Sequence, residues 1–361
     1  MRLHFFTVLL TAFLFAAPLR ADEAGSPKTL MIGTGSPGGT YIPYGKGLAA
    51  QLTKYAGVTF LDQPTQGPVQ NVLLLEQHKV ILGLTTMGVA LQAWNGADWT
   101  KGKQYRSMRA AFPMYDSPFQ FVAPKRLHLG GLEGFAGKRI GDGPKAGTAG
   151  TYIPRMFNTL GIAATLRNGA YEDNVHQVAS GELDGLVAFA GIPMAGLAEL
   201  DAQLPLDYLQ PSPDQIALVR KDFSEISPSL VPAGTYPSLT ADYHSFGIYN
   251  FAIVNEDLPD DLVYKIVKAV FEHHQELVKA HPAAKETLAV NVDRDTFLPF
   301  HPGAVRYYRE IGVDIPAALA ARGEDGVPGS TFSATLVSIS GAITAPGSNP
   351  SVTFVAPAVS A

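Results

Sequence analysis

Gly39-Thr-Tyr-Ile-Pro43 recurs as Gly150-Thr-Tyr-Ile-Pro154. Each copy follows a short apolar run, Thr29–Ile32 or Lys138–Ile140, and a glycine-rich loop, Gly33–Gly38 or Gly141–Gly147. Each precedes a pattern with helical spacing. Two strand–loop–helix units of one design therefore stand in two halves of the chain. Proline is tolerated in the first turn of a helix, where the amides have no intrahelical acceptor. This predicts Thr40 and Thr151 as N-caps, with Tyr41-Ile42-Pro43 and Tyr152-Ile153-Pro154 in the first turns. The free N–H groups and a dipole of about half a positive charge make such a terminus a seat for an anion. One copy alone would read as an ordinary capped loop. A pair in matching positions points to two lobes whose helix starts face one cleft.

Outward from the first copy, the chain reads strand, loop, helix three times. Thr29–Ile32 leads to a helix over Tyr41–Tyr55, stopped by Gly57. Val58–Leu61 leads to a helix start at Pro68, and Val80–Leu84 to a helix from Thr85 through Ala93. Alternation of this kind implies a parallel sheet with helices on both faces. Ligands of such sheets bind outside the carboxyl ends of the strands, where loops 33–40, 62–71 and 85–88 emerge. The second half repeats the order. Arg139–Ile140 precedes the second pentapeptide, Tyr171–Ser180 is a helix, Leu183–Ala188 a strand, and Phe189-Ala-Gly-Ile-Pro193 starts a helix. Phe119–Ala123 reads as a crossover into the second lobe and Tyr243–Val254 as the return. Pro205–Ser238, rich in proline and serine, is expected to wrap between lobes. Leu262–Val278 has an amphipathic helical pattern, and a last helix starts at Phe300-His-Pro-Gly-Ala304. The expected lobes are residues 22–118 with 241–320, and 119–240.

The chain has 361 residues, of which 46% are hydrophobic and 16% charged. That is enough for two packed domains. Met1–Ala21 has the basic start, apolar stretch and Leu19-Arg20-Ala21 cleavage site of a secretory signal peptide. Its apolar part falls short of the roughly 20 residues that a membrane span needs. There is no cysteine, so the chain uses no disulfide. The expected location is the periplasm. Formal charge is −5, or −7 without Arg2 and Arg20, and no basic stripe speaks for nucleic acid. From Gly326 to Ala361 no residue is charged. Residues 321–361 are read as a tail, either disordered or an added strand pair.

Other chemistry is weaker. Gly33-x-Gly35-x-x-Gly38 matches a dinucleotide fingerprint with Asp62 as its ribose acid, but that reading leaves Gly147–Thr151 without a role. The nine histidines build no zinc spacing, and His301 is expected to cap or pack at a helix start. No nucleophile elbow occurs. Ser36 has no signalled base, so it is expected to hydrogen-bond a ligand. A secreted hydrolase or transferase is the alternative reading, since triads assemble from distant positions. Tyr41, Tyr44, Tyr115, Tyr152 and Tyr171 are candidate pocket walls. Arg155, inside the second copied helix, is a candidate bidentate partner for a carboxylate. No catalytic residue, cofactor or metal is expected.

The motifs resemble, in order, those of the solute receptors of TRAP transporters, specifically the TAXI family. The carrying segments are Ile32-Gly-Thr-Gly-Ser-Pro-Gly-Gly-Thr-Tyr41, Gly67-Pro-Val-Gln-Asn71, Gly147-Thr-Ala-Gly-Thr-Tyr152 and Phe189-Ala-Gly-Ile-Pro193. Ala233-Gly-Thr-Tyr-Pro237 and Pro299–Gly312 continue the match. The resemblance implies an α/β fold, a two-lobed periplasmic binding protein of type II topology. In that fold each lobe is a mostly parallel sheet flanked by helices, with hinge crossovers between. It implies a monomeric receptor that delivers a small organic anion, glutamate-like or an oxo-acid, to an integral-membrane TRAP permease. The implied ligand shell is Ser36, Gly39, Thr40 and Tyr41 from the first loop, Gln66, Gly67 and Asn71 from the second, and Thr148, Thr151 and Gly191 from the other lobe. Thr86, Tyr152, Arg155 and Tyr171 complete the candidate site. The family usually has Ser where this chain has Pro68, and often an acidic residue near Thr86-Met87-Gly88. A sensory receptor for the same solute is a third reading.

Overall fold

The computed structural model describes residues 29–320. The expected signal peptide and the uncharged tail lie outside the described residues. Strands β1 (Leu30–Gly33), β2 (Phe60–Gln63) and β3 (Leu82–Thr86) are parallel, with β1 in the middle. Helices α1 (Tyr41–Tyr55), α2 (Pro68–Glu76) and α3 (Met87–Asn95) follow them in turn. After β4 (Met108–Pro124) the pattern repeats. It runs through β5 (Arg139–Gly141), α4 (Thr148–Thr159), β6 (Thr165–Arg167), α5 (Tyr171–Ser180), β7 (Gly185–Phe189) and α6 (Ala195–Gln203). β5 lies between β6 and β7, parallel to both, as β1 lies between β2 and β3.

The sheet path is β2-β1-β3-β10-β4-β7-β5-β6, where β10 is Tyr243–Asn255. Two long strands join the halves. β4 pairs antiparallel with β10 up to Pro118 and with β7 from Phe119 onward. β10 pairs first with β9 (Ser227–Val231) and then with β3 and β4. Both strands are buried almost throughout. Such strands read as unbroken apolar runs rather than as alternation, which is why only parts of them stand out in the sequence. The expected crossover Phe119–Ala123 is the last third of β4. The mirrored order, with two shared strands, is the two-lobed type II architecture.

Several boundaries move. β2 and β3 each start two residues later than the apolar runs suggest. Phe189–Met194 is not a helix start, because α6 begins at Ala195. Pro205–Ser238 is more ordered than a wrapping segment. It contains β8 (Leu206–Tyr208), β9 and α7 (Pro213–Asp222), the last opened by a Ser212/Gln215 capping box. The expected helix Leu262–Val278 is two helices, α8 (Asp260–Glu272) and α9 (His274–Ala280). The break has a cause in α1. The Gln51 amide donates to the carbonyls of Ala269 (3.0 Å) and His273 (2.9 Å), supplying donors that the last turn of a helix lacks. Tyr55 stacks on the His273 ring at 3.4 Å. α10 (Pro302–Glu310) begins at His301, whose Nδ1 accepts from the Gly303 amide at 3.1 Å. His301 is therefore a cap, as expected. Among the described residues no helix is long and apolar enough to cross a membrane.

Candidate functional site

The glycine-rich loops after β1 and β5 end at α1 and α4, and both helix starts meet one cavity between the lobes. The cavity is about 50 Å³. A single buried water needs roughly 10–15 Å³ on that scale, so there is room for a compact solute. From the first lobe, Gly35, Ser36, Gly39, Thr40 and Tyr41 line it, with Gln66, Gly67 and Pro68 from the α2 start. From the second come Pro144, Gly147, Thr148, Tyr171 and Phe189–Gly191. The shared strands supply Tyr115, Ser117 and Asn250. No residue of this wall carries a formal charge. Its polarity comes from hydroxyls, amides and two helix termini.

The lobes are closed on each other by specific bonds. Thr40 Oγ1 donates to the Gly191 carbonyl at 2.5 Å, and the Thr86 and Thr148 hydroxyls meet at 3.1 Å. The Val69 amide donates to Ala146 O and the Gly196 amide to Gly38 O, both at 3.1 Å. Gly67, at φ +118°, permits a close approach: a Cβ there would sit 3.2 Å from Gly147 Cα. Positive φ of this kind is open to glycine and strained for other residues.

Three tyrosines wall the space, and burial pushes each phenol above its usual range. They are therefore neutral donors. Tyr41 donates to Asn250 Oδ1 at 2.6 Å, and Asn250 Nδ2 donates to Tyr115 O (2.7 Å) and Ser117 Oγ (2.8 Å). The Tyr171 hydroxyl accepts from the Phe189 amide at 3.1 Å. The Tyr115 hydroxyl is buried without a protein partner. The ring is held edge-on by Tyr44 at 5.1 Å.

The sequence-derived candidates divide. Ser36, Gly39, Thr40, Tyr41, Gln66, Gly67, Thr148, Tyr171 and Gly191 are all in the wall. Five others are not. Asn71 is wholly buried behind it, bonded to Thr34 O, Leu84 O and Thr65. Thr86 caps α3, accepting from Val89 N, and touches the other lobe through Thr148. Tyr152 hydrogen-bonds Glu225. Arg155 pairs with Asp98 at 2.7 Å and lies over the Phe223 ring. Thr151 is inside α4, its hydroxyl bonded to Gly147 O one turn back at 2.8 Å.

Of the two capping assignments, Thr40 holds in position and Thr151 needs correction. Thr40 occupies the N-cap position of α1, but its side chain accepts no helix amide and bonds across the cleft instead. The N-cap of α4 is Gly147, three residues before the pentapeptide's own start. The loop Pro144–Gly147 closes a turn, with Gly147 N to Pro144 O at 2.8 Å, and the helix begins directly after it. Sequence reasoning missed Ser117, Asn250, Phe189, Ala190 and Pro144. Only Asn250 had a signal, a polar residue within the apolar run Tyr249–Val254. Ser36 donates weakly to Pro37 O at 3.3 Å, and no acidic or histidine side chain in the wall could act as its base. Among the described residues no group of acidic or histidine side chains could hold a metal ion.

A cleft between two lobes joined by shared strands is the fold of the two-lobed periplasmic binding proteins. MatC from Rhodopseudomonas palustris with bound malate has this fold. It matches at TM-score 0.50 and 11% identity, over 71% of this chain and 88% of that one. A binding protein component of an ABC phosphonate transporter from Pseudomonas aeruginosa matches at TM-score 0.48 and 10% identity, over 80% and 95%. PhnD1 from Prochlorococcus marinus in complex with methylphosphonate matches at 0.46 and 13%, over 80% and 91%. The chain itself belongs to the NMT1-like family, which matches residues 32–312.

Proposed function

We propose that this protein is a periplasmic solute receptor of the TAXI type. It holds a small organic anion between its lobes and delivers it to an integral-membrane TRAP permease. The observation that carries the reading is the convergence of the α1 and α4 starts on one cleft. The first amides of a helix have no intrahelical acceptor, and those of Tyr41 and Thr148 have none among the described residues. A carboxylate would replace the water they otherwise bind. The partner switch of β4 at Pro118/Phe119, beside Gly247 of β10, is the natural hinge. Solute bound to both lobes shifts the population toward the closed form, and the permease reads that form. No covalent step is involved, and the receptor works as a monomer.

Thr148→Pro tests this. Gly147, at φ −85° and ψ 165°, already has the extended backbone that a following proline requires, and the first helical position accepts proline. The variant should keep its fold while losing one cavity amide and one hydroxyl. Calorimetry with short carboxylates should show affinity reduced by about tenfold or more. Unchanged affinity would overturn the reading.

A further inference from the structure

The segment Phe189–Met194 is tied to its own lobe at both ends and to the other lobe in between. The Phe189 amide donates to the Tyr171 hydroxyl at 3.1 Å, and the Met194 amide to the Tyr236 hydroxyl at 2.9 Å. Between these anchors two carbonyls meet partners in the first lobe. Gly191 O accepts from Thr40 Oγ1, and Pro193 O lies 3.1 Å from Nε2 of His281. Among the described residues neither carbonyl has another hydrogen-bond partner. A Cβ on Gly191 would fall 2.5 Å from the Tyr115 ring and 3.0 Å from Ala283 Cβ, so the segment is pressed onto the first lobe. Phe189, Ala190 and Gly191 are cavity wall. Whatever holds Pro193 therefore sets where that part of the wall stands.

His281 is 6% exposed, and its partners fix the role of each ring nitrogen. The Ala283 amide, which can only donate, meets Nδ1 at 3.1 Å. Nδ1 is therefore bare, the proton is on Nε2, and Nε2–H donates to Pro193 O. Burial holds the imidazole below its usual range, and no charged side chain offsets this. Lys46 of α1, Lys279 of α9, Lys285 and Glu286 of the turn that follows, and Glu199 of α6 are all exposed. The neighbouring His274 is turned to Ala284 O. On the reading that the cleft binds an organic anion, we infer that His281 is a positioning residue for the solute: its neutral ring fastens the wall segment of the second lobe to the first, and a proton on the ring unfastens it. That proton would set Nδ1–H against the Ala283 N–H. The ring must then turn away from Ala283, and with it from Pro193. Opening of the lobes returns the ring to water, where it takes up a proton at its ordinary value of about 6.5. Closure is thus unopposed above that pH and must expel a proton below it, so solute binding weakens as pH falls.

The test is calorimetry with pyruvate, L-lactate and L-glutamate at about pH 5.5 and about pH 7.5, on the full chain, His281→Asn and His281→Gln. The parent should bind its tightest solute about three- to tenfold more weakly at the lower pH. Asparagine keeps an acceptor for the Ala283 amide but is too short to reach Pro193. It should bind about fivefold more weakly at both pH values. Glutamine returns an uncharged donor to Pro193 O. It should recover most of that loss and hold its affinity within about twofold between the two pH values. A pH effect as large in His281→Gln as in the parent would overturn the inference while leaving the anion cleft in place. Parent-like binding by His281→Asn would do the same. Should both variants fold poorly, the parent decides alone, and affinity that is equal at the two pH values would overturn the inference. Binding of none of these solutes would overturn both the inference and the anion reading.

Discussion

Asp295 shows how burial sets the acid–base behaviour of this chain. It is 3% exposed, and its Oδ1 accepts from the Phe297 (3.0 Å) and Leu298 (2.9 Å) amides. Its Oδ2 has no partner. Burial outweighs the two amides and pushes the carboxyl up to about 7. A carboxyl raised above its unfolded value holds a proton in the folded state that the unfolded chain releases. Its stability contribution is therefore intact below the unfolded value near 3.9 and is lost as pH climbs through about 7. Asp116 and Asp142, both raised to about 6 by burial, act in the same direction. Buried His281 and His301, both lowered by burial, act oppositely on the acid side. Asp295→Asn keeps the accepting oxygen and removes the charge. Relative to the parent, its melting temperature should be unchanged near pH 4 and higher by about 3 °C at pH 8. A uniform change across pH would show that Asp295 does not titrate in this way. Little of this is legible in the sequence, because burial of single side chains depends on what packs over them. The same limit applies to Arg155. Its place inside a copied helix made it a candidate for a carboxylate, but side-chain direction sends it to Asp98.

The two pentapeptides show what an element adds to its residues. The repeat correctly marks two helices that begin at one cleft, and the strand–loop–helix order around it gives the sheet. The repeat does not give the helix phase. Gly39-Thr40 stands before α1, so Pro43 falls in a first turn whose amides need no helical partner. The loop before α4 closes its turn earlier, at Gly147, so the same words lie one turn deeper and Pro154 is inside the helix. Identical local sequence thus takes two positions because the loop Pro144–Gly147 closes its turn ahead of the pentapeptide, while the loop before α1 runs into it. There is an energetic consequence. Proline inside a helix removes the bond to the carbonyl four residues back, here Gly150, and crowds it. Pro154→Ala should stabilise the protein by about 1–2 kcal/mol in urea unfolding, whereas Pro43→Ala should change it by less than about 0.5 kcal/mol. Equal effects would contradict the difference in phase. The long shared strands β4 and β10 were legible only in part for a related reason. Their continuous burial erases the alternation that would have marked their ends.

At the scale of the molecule, closure rests on backbone and hydroxyl groups of one lobe meeting those of the other. The contacts Val69–Ala146, Gly196–Gly38 and Thr40–Gly191 ring the cavity, and each needs approach within hydrogen-bond distance. Gly196 is the place to test whether binding requires that approach. It lies in the first turn of α6, and a Cβ there would stand 3.2 Å from Gly38 O across the cleft. Valine at this position leaves the wall residues and both open helix starts intact but pushes its branched side chain against the facing loop. If the solute is held by both lobes at once, its affinity includes the closing equilibrium, and a wedge that disfavours the closed form lowers the apparent affinity by the same factor. Gly196→Val should therefore bind its solute at least about tenfold more weakly. In solution scattering the parent should contract on addition of solute, while the variant keeps the radius of the unliganded parent. Its unfolding should remain cooperative, since the added Cβ is nearest to Gly38 O across the cleft and meets the core residue Val175 only at the ordinary contact distance of 3.4 Å. Parent-like affinity together with parent-like contraction would mean that the lobes close without the Gly196–Gly38 contact, and that the chamber is sealed by the α1 and α4 side alone.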